Sequence, residues 1–105
     1  MTTPRHTPGP WTAKPDYEGS GDWLIWYLYE GRPQTIGSVY EMADREQAPA
    51  NAHLIAASPD LYDAGLTVQA VLEGIANTRP LDAWQEAALK DFQVAMRKAE
   101  GKETT

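Results

Sequence analysis

The residues that could support metal binding are few and lie far apart along the chain. The two histidines, His6 and His53, fall in different predicted environments, the first in a flexible arm and the second in a helix. A zinc site needs three or four ligands at suitable spacing, and the chain has no cysteine and no closely spaced pair of histidines. We therefore predict no metal site and expect His53 to be a partly exposed or hydrogen-bonded helix residue.

The residues that could support catalysis are better explained as structural. Asp60 and Asp63 resemble a carboxylate pair, but they follow Ser58-Pro59, which has the pattern of a helix start, and acids are favoured in the first helical turn. Ser58 is explained as the N-cap, because no base lies beside it to activate a nucleophile. Gly19-Ser20-Gly21 is too short for a phosphate loop. We predict no catalytic residues, no enzymatic activity and no cofactor; the best polar binding candidates near the centre of the chain are Arg45 and Asn51.

The helices that position these residues are organised around residues 51–64, NAHLIAASPDLYDA. This stretch is predicted to contain the end of one helix, a stop, and the start of the next. We predict helices over 48–58, 59–77 and 80–100, with Leu54 and Ile55 buried in the first. The predicted apolar face of the second helix consists of Leu61, Ala64, Val68, Val71 or Leu72, and Ile75. The predicted apolar face of the third consists of Leu81, Trp84, Ala88, Phe92, Ala95 and Ala99.

The strands are predicted before the helices. Residues 23–29, WLIWYLY, give the strongest strand pattern, and residues 34–41 and 11–14 supply two further strands. Strands followed by helices indicate an α+β fold, here a small antiparallel sheet (a hairpin or a three-stranded meander) with two to three helices packed on one face. We expect a single domain over 1–105, with a proline-rich arm at 1–10, the sheet at 11–41, the helices at 48–100 and a disordered tail at 101–105.

Charge and hydropathy exclude several classes of function. The 105 residues include 9 Lys+Arg and 15 Asp+Glu, a net charge of −6. Nucleic-acid affinity depends on neutralising phosphates, so we predict no direct nucleic-acid ligand; mimicry of DNA by an acidic face stays open. No apolar stretch approaches the roughly 20 residues that a membrane helix needs, and no signal peptide is apparent. We therefore expect no membrane partner.

The aromatic strand is apolar on both of its faces. Alternation places Leu24, Trp26 and Leu28 on one face and Trp23, Ile25, Tyr27 and Tyr29 on the other, whereas helices on one side of a sheet cover only one face. The chain could cover the second face itself with its arm and Trp11. Alternatively, Trp23, Tyr27 and Tyr29, with Trp11 alongside, form a recognition surface for a host protein, a second copy or a small ligand, because Trp and Tyr are enriched at binding hot spots.

Three segments, HTPGPW at 6–11, NAHLIAASPDLYDA at 51–64 and MRKAEGK at 96–102, resemble a family of small phage and prophage proteins. Its members commonly have an HTPGPW-like arm, an NARLIAAAPELLEA-like centre and a helix ending in a KAEG-like sequence. This chain departs from that pattern at His53 and Tyr62. The resemblance implies a protein made in the cytoplasm of a host bacterium, and it implies no catalytic residues.

The preferred hypothesis is a non-enzymatic binding protein that blocks a host protein or complex, and the expected target is a defence system such as CRISPR immunity. Trp23, Tyr27, Tyr29 and Trp11 would be the partner-binding residues. One alternative is an oligomer that sequesters a nucleotide-like ligand. Another is a structural homo-oligomer, such as a homodimer, with no host target.

Overall fold

The computed structural model describes residues 6–17, 20–41 and 44–102, in which three strands are followed by three helices. The prediction of an α+β fold is confirmed. Residues 1–5 of the predicted arm, Gly19 and residues 103–105 of the predicted tail lie outside the described residues. The strands are β1 (Thr12–Pro15), β2 (Trp23–Tyr29) and β3 (Arg32–Val39), and the helices are α1 (Gln47–Ala56), α2 (Ser58–Ala76) and α3 (Ala83–Ala99).

Contacts within the chain define two compact units, residues 1–60 and 61–105. The first unit contains the sheet and α1, and the second contains most of α2 and all of α3. The division falls inside α2, and the expectation of a single domain stays a prediction.

The sheet is a three-stranded antiparallel meander with β2 in the centre. The turn between β2 and β3 has only two residues, Glu30 and Gly31, and both have positive φ, 52° and 78°. Positive φ at both central positions defines a type I′ turn, whose twist matches that of the flanking strands. The strand predicted at 34–41 therefore begins two residues earlier, because Arg32 and Pro33 already pair with Tyr29 and Leu28.

Two irregularities interrupt the outer strand β3. Pro33 lies within the strand, which is compatible with an edge position because no further strand needs its missing amide. Farther along, Ile25 is opposite Gly37 and Trp26 is opposite Thr35, so Ile36 is an extra residue without a cross-strand partner. This arrangement is a β-bulge, which locally bends and twists an edge strand.

Alanines place α1 against the sheet. Ala48, Ala52 and Ala56, spaced four residues apart, are all buried, and α1 contacts every strand. The core of this unit comprises Ile25, Ala52 and Ala56, with Trp11, Ala13, Trp23 and Val39 packed against it. The predicted burial of Leu54 and Ile55 is wrong, since their side chains are 64% and 39% exposed. Small alanine side chains let the helix backbone approach the bulky strand residues.

The junction between α1 and α2 is a single residue. Ala57 keeps a right-handed helical conformation, with φ −79° and ψ −9°, and α2 begins at Ser58. The Ser58 hydroxyl donates a 3.2 Å hydrogen bond to the carbonyl oxygen of Leu54. The interpretation of Ser58 as an N-cap is therefore corrected: its side chain bonds back to the preceding helix.

The second unit is a helical hairpin whose contact faces differ from the predicted ones. On α2, Gly65 and Leu72 are buried, whereas Leu61 and Val71 are each 55% exposed. A Cβ atom at Gly65 would lie 2.7 Å from Cε of Met96, so the absence of a side chain there lets α3 approach closely. The predicted apolar face of α2 is thus correct at Leu72, but it omits Gly65 and includes the exposed Leu61 and Val71.

Helix α3 begins later than predicted and buries a polar residue. Its N-cap is Asp82, in an extended conformation with ψ 159°, so Pro80 precedes the helix. The Gln85 side chain accepts a 3.0 Å hydrogen bond from the Asp82 amide through its Oε1 atom. Gln85 is only 8% exposed, whereas the neighbouring Trp84 is 69% exposed. The predicted burial of Trp84 is wrong, because Gln85 occupies the inward position.

Candidate functional site

The aromatic strand β2 becomes more exposed along its length. Trp23 is half-buried, Ile25 is buried, Tyr27 is half-buried, and Leu28 and Tyr29 are 61% and 57% exposed. The exposed end is the end that leads into the type I′ turn. We call Tyr27, Leu28 and Tyr29, together with the turn Glu30-Gly31, the hairpin end.

Two of the four predicted partner-binding residues lie at the margin of the core. Trp23 packs against the cluster of Ile25, Ala52 and Ala56, and its ring meets that of His53 edge to face at a centroid distance of 5.1 Å. Trp23 therefore lies on the face of the sheet that α1 covers. Its side chain supports the fold in this position.

Trp11 also packs against that cluster. Its indole Nε1–H donates a 3.1 Å hydrogen bond to the carbonyl oxygen of Thr7, and its ring meets His6 edge to face at 6.5 Å. The residues that precede β1 are thus held by Trp11, as expected if the arm covers part of the sheet. The recognition role of Trp11 stays a prediction.

The other two predicted residues, Tyr27 and Tyr29, lie farther along the same face of the strand. They pair with Gln34 and Arg32 of β3, so each tyrosine has a polar neighbour directly across the sheet. Leu28 points to the opposite face. The hairpin end therefore offers an aromatic residue on one face and an aliphatic residue on the other, next to an exposed guanidinium.

The opposite face of the sheet is organised by Trp26. The Lys14 ammonium lies 5.2 Å from the centroid of the Trp26 ring, within the range of a cation–π contact. Among the described residues, no hydrogen-bond acceptor reaches the buried Nε1–H of Trp26. Buried donors nearly always have a partner, so this indole is a polar group that a bound molecule or water could satisfy. The sequence pattern alone gives no reason to separate Trp26 from the other aromatic residues.

A shallow cleft of about 320 Å³ lies beside Trp23. It is lined by Gly21, Trp23, Glu41, Arg45 and Pro49. Gly21 has φ +78°, a backbone conformation that favours glycine, and a Cβ atom there would lie 2.6 Å from the Glu41 carboxyl carbon. The cleft thus contains an aromatic ring, a guanidinium and a carboxylate. The volume of the cleft is near the lower limit for small-molecule sites.

The backbone beside this cleft is fixed by Asp22, whose Oδ1 atom accepts a 2.8 Å hydrogen bond from the amide of Glu41. The contact joins the residue before β2 to the end of the segment after β3. Arg45, one of the two predicted polar candidates, lies in the cleft lining, and Asn51, the other, is exposed on α1.

The helix residues that were discounted for metal binding and catalysis are exposed. His53 is exposed and contacts Trp23, and Asp60 and Asp63 are exposed in the first turns of α2. Across 6–17, 20–41 and 44–102, no group of three or more His, Cys, Asp or Glu side chains could hold a metal ion. Within the same ranges, no helix is both long enough and apolar enough to cross a membrane.

Comparison with known protein families gives a match over nearly the whole chain. No curated protein and no solved structure matches the chain. The model of the family described as Salmonella phage P22 protein Y8K6 matches residues 1–103. This match confirms the predicted relation to phage proteins, although it does not test the three motifs. Because the match extends over nearly the whole sequence, the chain belongs to the Salmonella phage P22 protein Y8K6 family.

Proposed function

We propose that this phage protein acts without catalysis, by binding a host protein in the bacterial cytoplasm through the hairpin end of its sheet. The observation that carries the proposal is the exposure of two consecutive large residues, Leu28 at 61% and Tyr29 at 57%, at the end of an otherwise well-packed strand. Exposed aromatic and aliphatic groups in one place are typical of interaction sites.

The proposed action is steric and stoichiometric. Tyr29 and Leu28 enter apolar pockets of the partner from the two faces of the strand, and Arg32 supplies a polar contact at the rim. The phage family favours a host target, and a defence complex such as a CRISPR effector is the target class that we propose. Trp23 and Trp11 support the surface from the core margin.

The proposal is tested by placing a photo-reactive amino acid at position 29 and irradiating the protein in host lysate. Tyr40, a tyrosine that is 72% exposed after β3, is the matched control position. We expect one host protein to be crosslinked from position 29 and not from position 40. The same host protein, once purified, should bind the wild-type chain at a fixed stoichiometry.

Affinity measurements on the purified pair then test whether Tyr29 contributes to binding. Tyr29→Ala should weaken binding by more than about 1 kcal/mol, as hot-spot truncations do, while Tyr40→Ala leaves the affinity unchanged. Equal crosslinking from both positions, or equal affinity of both variants, would overturn the assignment of the hairpin end.

A second candidate function, sequestration of a nucleotide-like ligand, is supported by the cleft in which Trp23 and Arg45 lie together. A ring for stacking and a guanidinium for an anionic group are the parts that such a ligand needs. A panel of nucleotides should raise the melting temperature of the wild-type protein and have little effect on Arg45→Gln. Arg32→Gln, which changes an exposed arginine outside the cleft, is the control, and absence of any shift with the wild type would exclude this candidate.

A further inference from the structure

The strand β2 is longer than its neighbour β1, so one edge of β2 is open toward the type I′ turn. The last pair between the two strands joins Thr12 to Trp26. Beyond this pair, and among the described residues, Tyr27, Leu28 and Tyr29 pair with β3 alone. The open part of the edge therefore lies within the hairpin end.

The main-chain groups that point into this open edge belong to Leu28. The pair of Tyr29 with Arg32 closes the type I′ turn, so the N–H and C=O of Tyr29 point toward β3. Neighbouring residues of a strand direct these groups to opposite sides, so the N–H and C=O of Leu28 point away from β3. Pro33, which lies opposite Leu28, has no N–H and agrees with this pattern, because Leu28 requires none from it.

The arm that precedes β1 does not fill the open edge. Continuing the register of β1 would place Pro10 opposite Leu28, and a proline has no N–H to donate to the Leu28 carbonyl. A Cβ atom at Gly9 would lie 3.2 Å from the Cβ and Cγ atoms of Pro59, so the arm passes against the start of α2. Across 6–17, 20–41 and 44–102, no main-chain group of a turn or loop forms a hydrogen bond with the main chain of Leu28.

The side chains beside this edge are exposed and lie on both faces of the strand. Leu28 is 61% exposed on one face, and Tyr29 is 57% exposed on the other. A strand that is added to an open edge bonds through its main chain and directs its own side chains alternately to the two faces, so it contacts both groups at once. A helix or loop that packs on one face of the sheet reaches only one of them.

We propose that the partner contributes an extended segment, which pairs with Leu28 as an added strand in line with β1. The Leu28 N–H donates to a carbonyl oxygen of this segment, and the Leu28 carbonyl oxygen accepts from one of its amides. Apolar residues of the segment pack against the Leu28 and Tyr29 side chains. This proposal rests on the proposed function, because it states how the partner is recognised at the hairpin end.

A second copy of this chain does not fit the same edge. Two-fold antiparallel pairing of Leu28 with the same residue of the other copy would place the other copy's Glu30 opposite Trp26. Thr12 already occupies that position. The occupant is therefore a segment of a different protein, and it must end or turn away before it reaches Thr12.

Hydrogen exchange followed by NMR on the free protein tests whether the edge is open. The amides of Tyr27 and Tyr29 point toward β3, whereas the amide of Leu28 has no acceptor among the described residues. We expect the Leu28 amide to exchange at least about tenfold faster than either neighbour. Equal protection of the three amides would show that the edge is already paired and would overturn the proposal.

A display library of random linear peptides tests strand addition directly. Peptides are selected on the full-length chain and retained if they bind Tyr40→Ala, a variant at an exposed tyrosine outside the hairpin end, but not Tyr29→Ala. We expect a bound peptide to slow exchange of the Leu28 amide about tenfold or more. Replacing the Leu28 amide by an ester, which removes the N–H donor and keeps the side chain, should weaken peptide binding about fivefold or more and leave the melting temperature unchanged.

The outcomes separate this proposal from the proposed function. A host protein that is crosslinked from position 29 but leaves exchange of the Leu28 amide unchanged would overturn strand addition and leave the host partner in place. Peptides that protect Leu28, with no host protein crosslinked, would support strand addition and overturn the proposed function. Failure to select any peptide at the hairpin end, equal affinity of the ester variant, or a dimer of the chain formed through this edge would overturn strand addition.

Discussion

The hydroxyl of Tyr62 donates a 2.7 Å hydrogen bond to Oε2 of Glu100, and the contact joins the start of α2 to the C-cap of α3. The bond lowers the pKa of the Glu100 carboxyl, with smaller contributions from Lys102 and Arg97, and it raises the pKa of the Tyr62 hydroxyl. The bond therefore holds the start of α2 against the end of α3 most strongly when the carboxylate is ionised and the phenol is neutral.

Removing this hydroxyl should change the titration of Glu100. Because a lowered pKa in the folded state stabilises the fold at neutral pH, this contribution is lost as the pH falls through the lowered pKa. Tyr62→Phe should raise the Glu100 pKa toward its usual range, as measured by the carboxyl carbon shift in an NMR titration. Lys102→Gln, which removes a 3.7 Å ion pair with the same carboxylate, should raise it less. A larger effect of Lys102→Gln would contradict the dominance of the Tyr62 hydrogen bond.

The two glycines of α2 should respond differently to alanine. Gly74 is exposed and a Cβ atom there would meet nothing within 4 Å, so Gly74→Ala should stabilise the protein by about 0.5–1 kcal/mol through helix propensity. Gly65→Ala should gain less or lose stability, because the Met96 side chain must move. Urea denaturation measures both effects. In a Met96→Ala background, Gly65→Ala should stabilise the protein as Gly74→Ala does. If Gly65→Ala gives no such stabilisation there, the role of Met96 is disproved.

The alanine face of α1 should not tolerate larger side chains. Ala52 is fully buried against the cluster that contains Ile25, so Ala52→Leu should destabilise the protein by about 1–3 kcal/mol through overpacking. Ala50→Leu, at an exposed position of the same helix, should have little effect. Chemical denaturation of the two variants checks the prediction, and equal stability would show that α1 can move away from the sheet without cost.

Alanine substitutions in the aromatic strand should distinguish residues that stabilise the fold from residues that bind a partner. Trp23→Ala removes a ring packed on the core and should cost roughly 2 kcal/mol or more in unfolding free energy, whereas Tyr29→Ala should cost less than about 1 kcal/mol. Thermal unfolding followed by circular dichroism distinguishes them. A large loss in Tyr29→Ala would place this tyrosine among the structural residues and weaken its use as a binding probe.

The sequence predicts the strands well because their signal is local. All seven residues of β2 are apolar or aromatic, and the strand has the predicted bounds. The boundaries of β3 are displaced because Glu30 adopts positive φ, which allows a two-residue turn. A glutamate carries no marked preference for that conformation, so the pattern favours a longer turn.

The helices are predicted in number and order, and Leu72 and Phe92 face inward as expected, but two other inward residues are missed. Gly65 and Gln85 are buried although neither adds to an apolar pattern. Glycine is selected there by the closeness of the helices, and glutamine by a hydrogen bond to the Asp82 amide. Both causes are tertiary or local polar contacts that hydrophobic periodicity does not record. For the same reason, hydrophobic periodicity does not predict which aromatic residues lie at the core margin and which lie at the hairpin end.

The outer strand β3 also bears on how the protein behaves at high concentration. An exposed strand edge with a regular row of amides and carbonyls can recruit another chain and start fibril growth. In β3, Pro33 removes one amide from that row and the bulge at Ile36 puts the rest out of register. Pairing of another chain with this edge is therefore disfavoured, so β3 shields the aromatic strand β2 beside it from edge-to-edge aggregation.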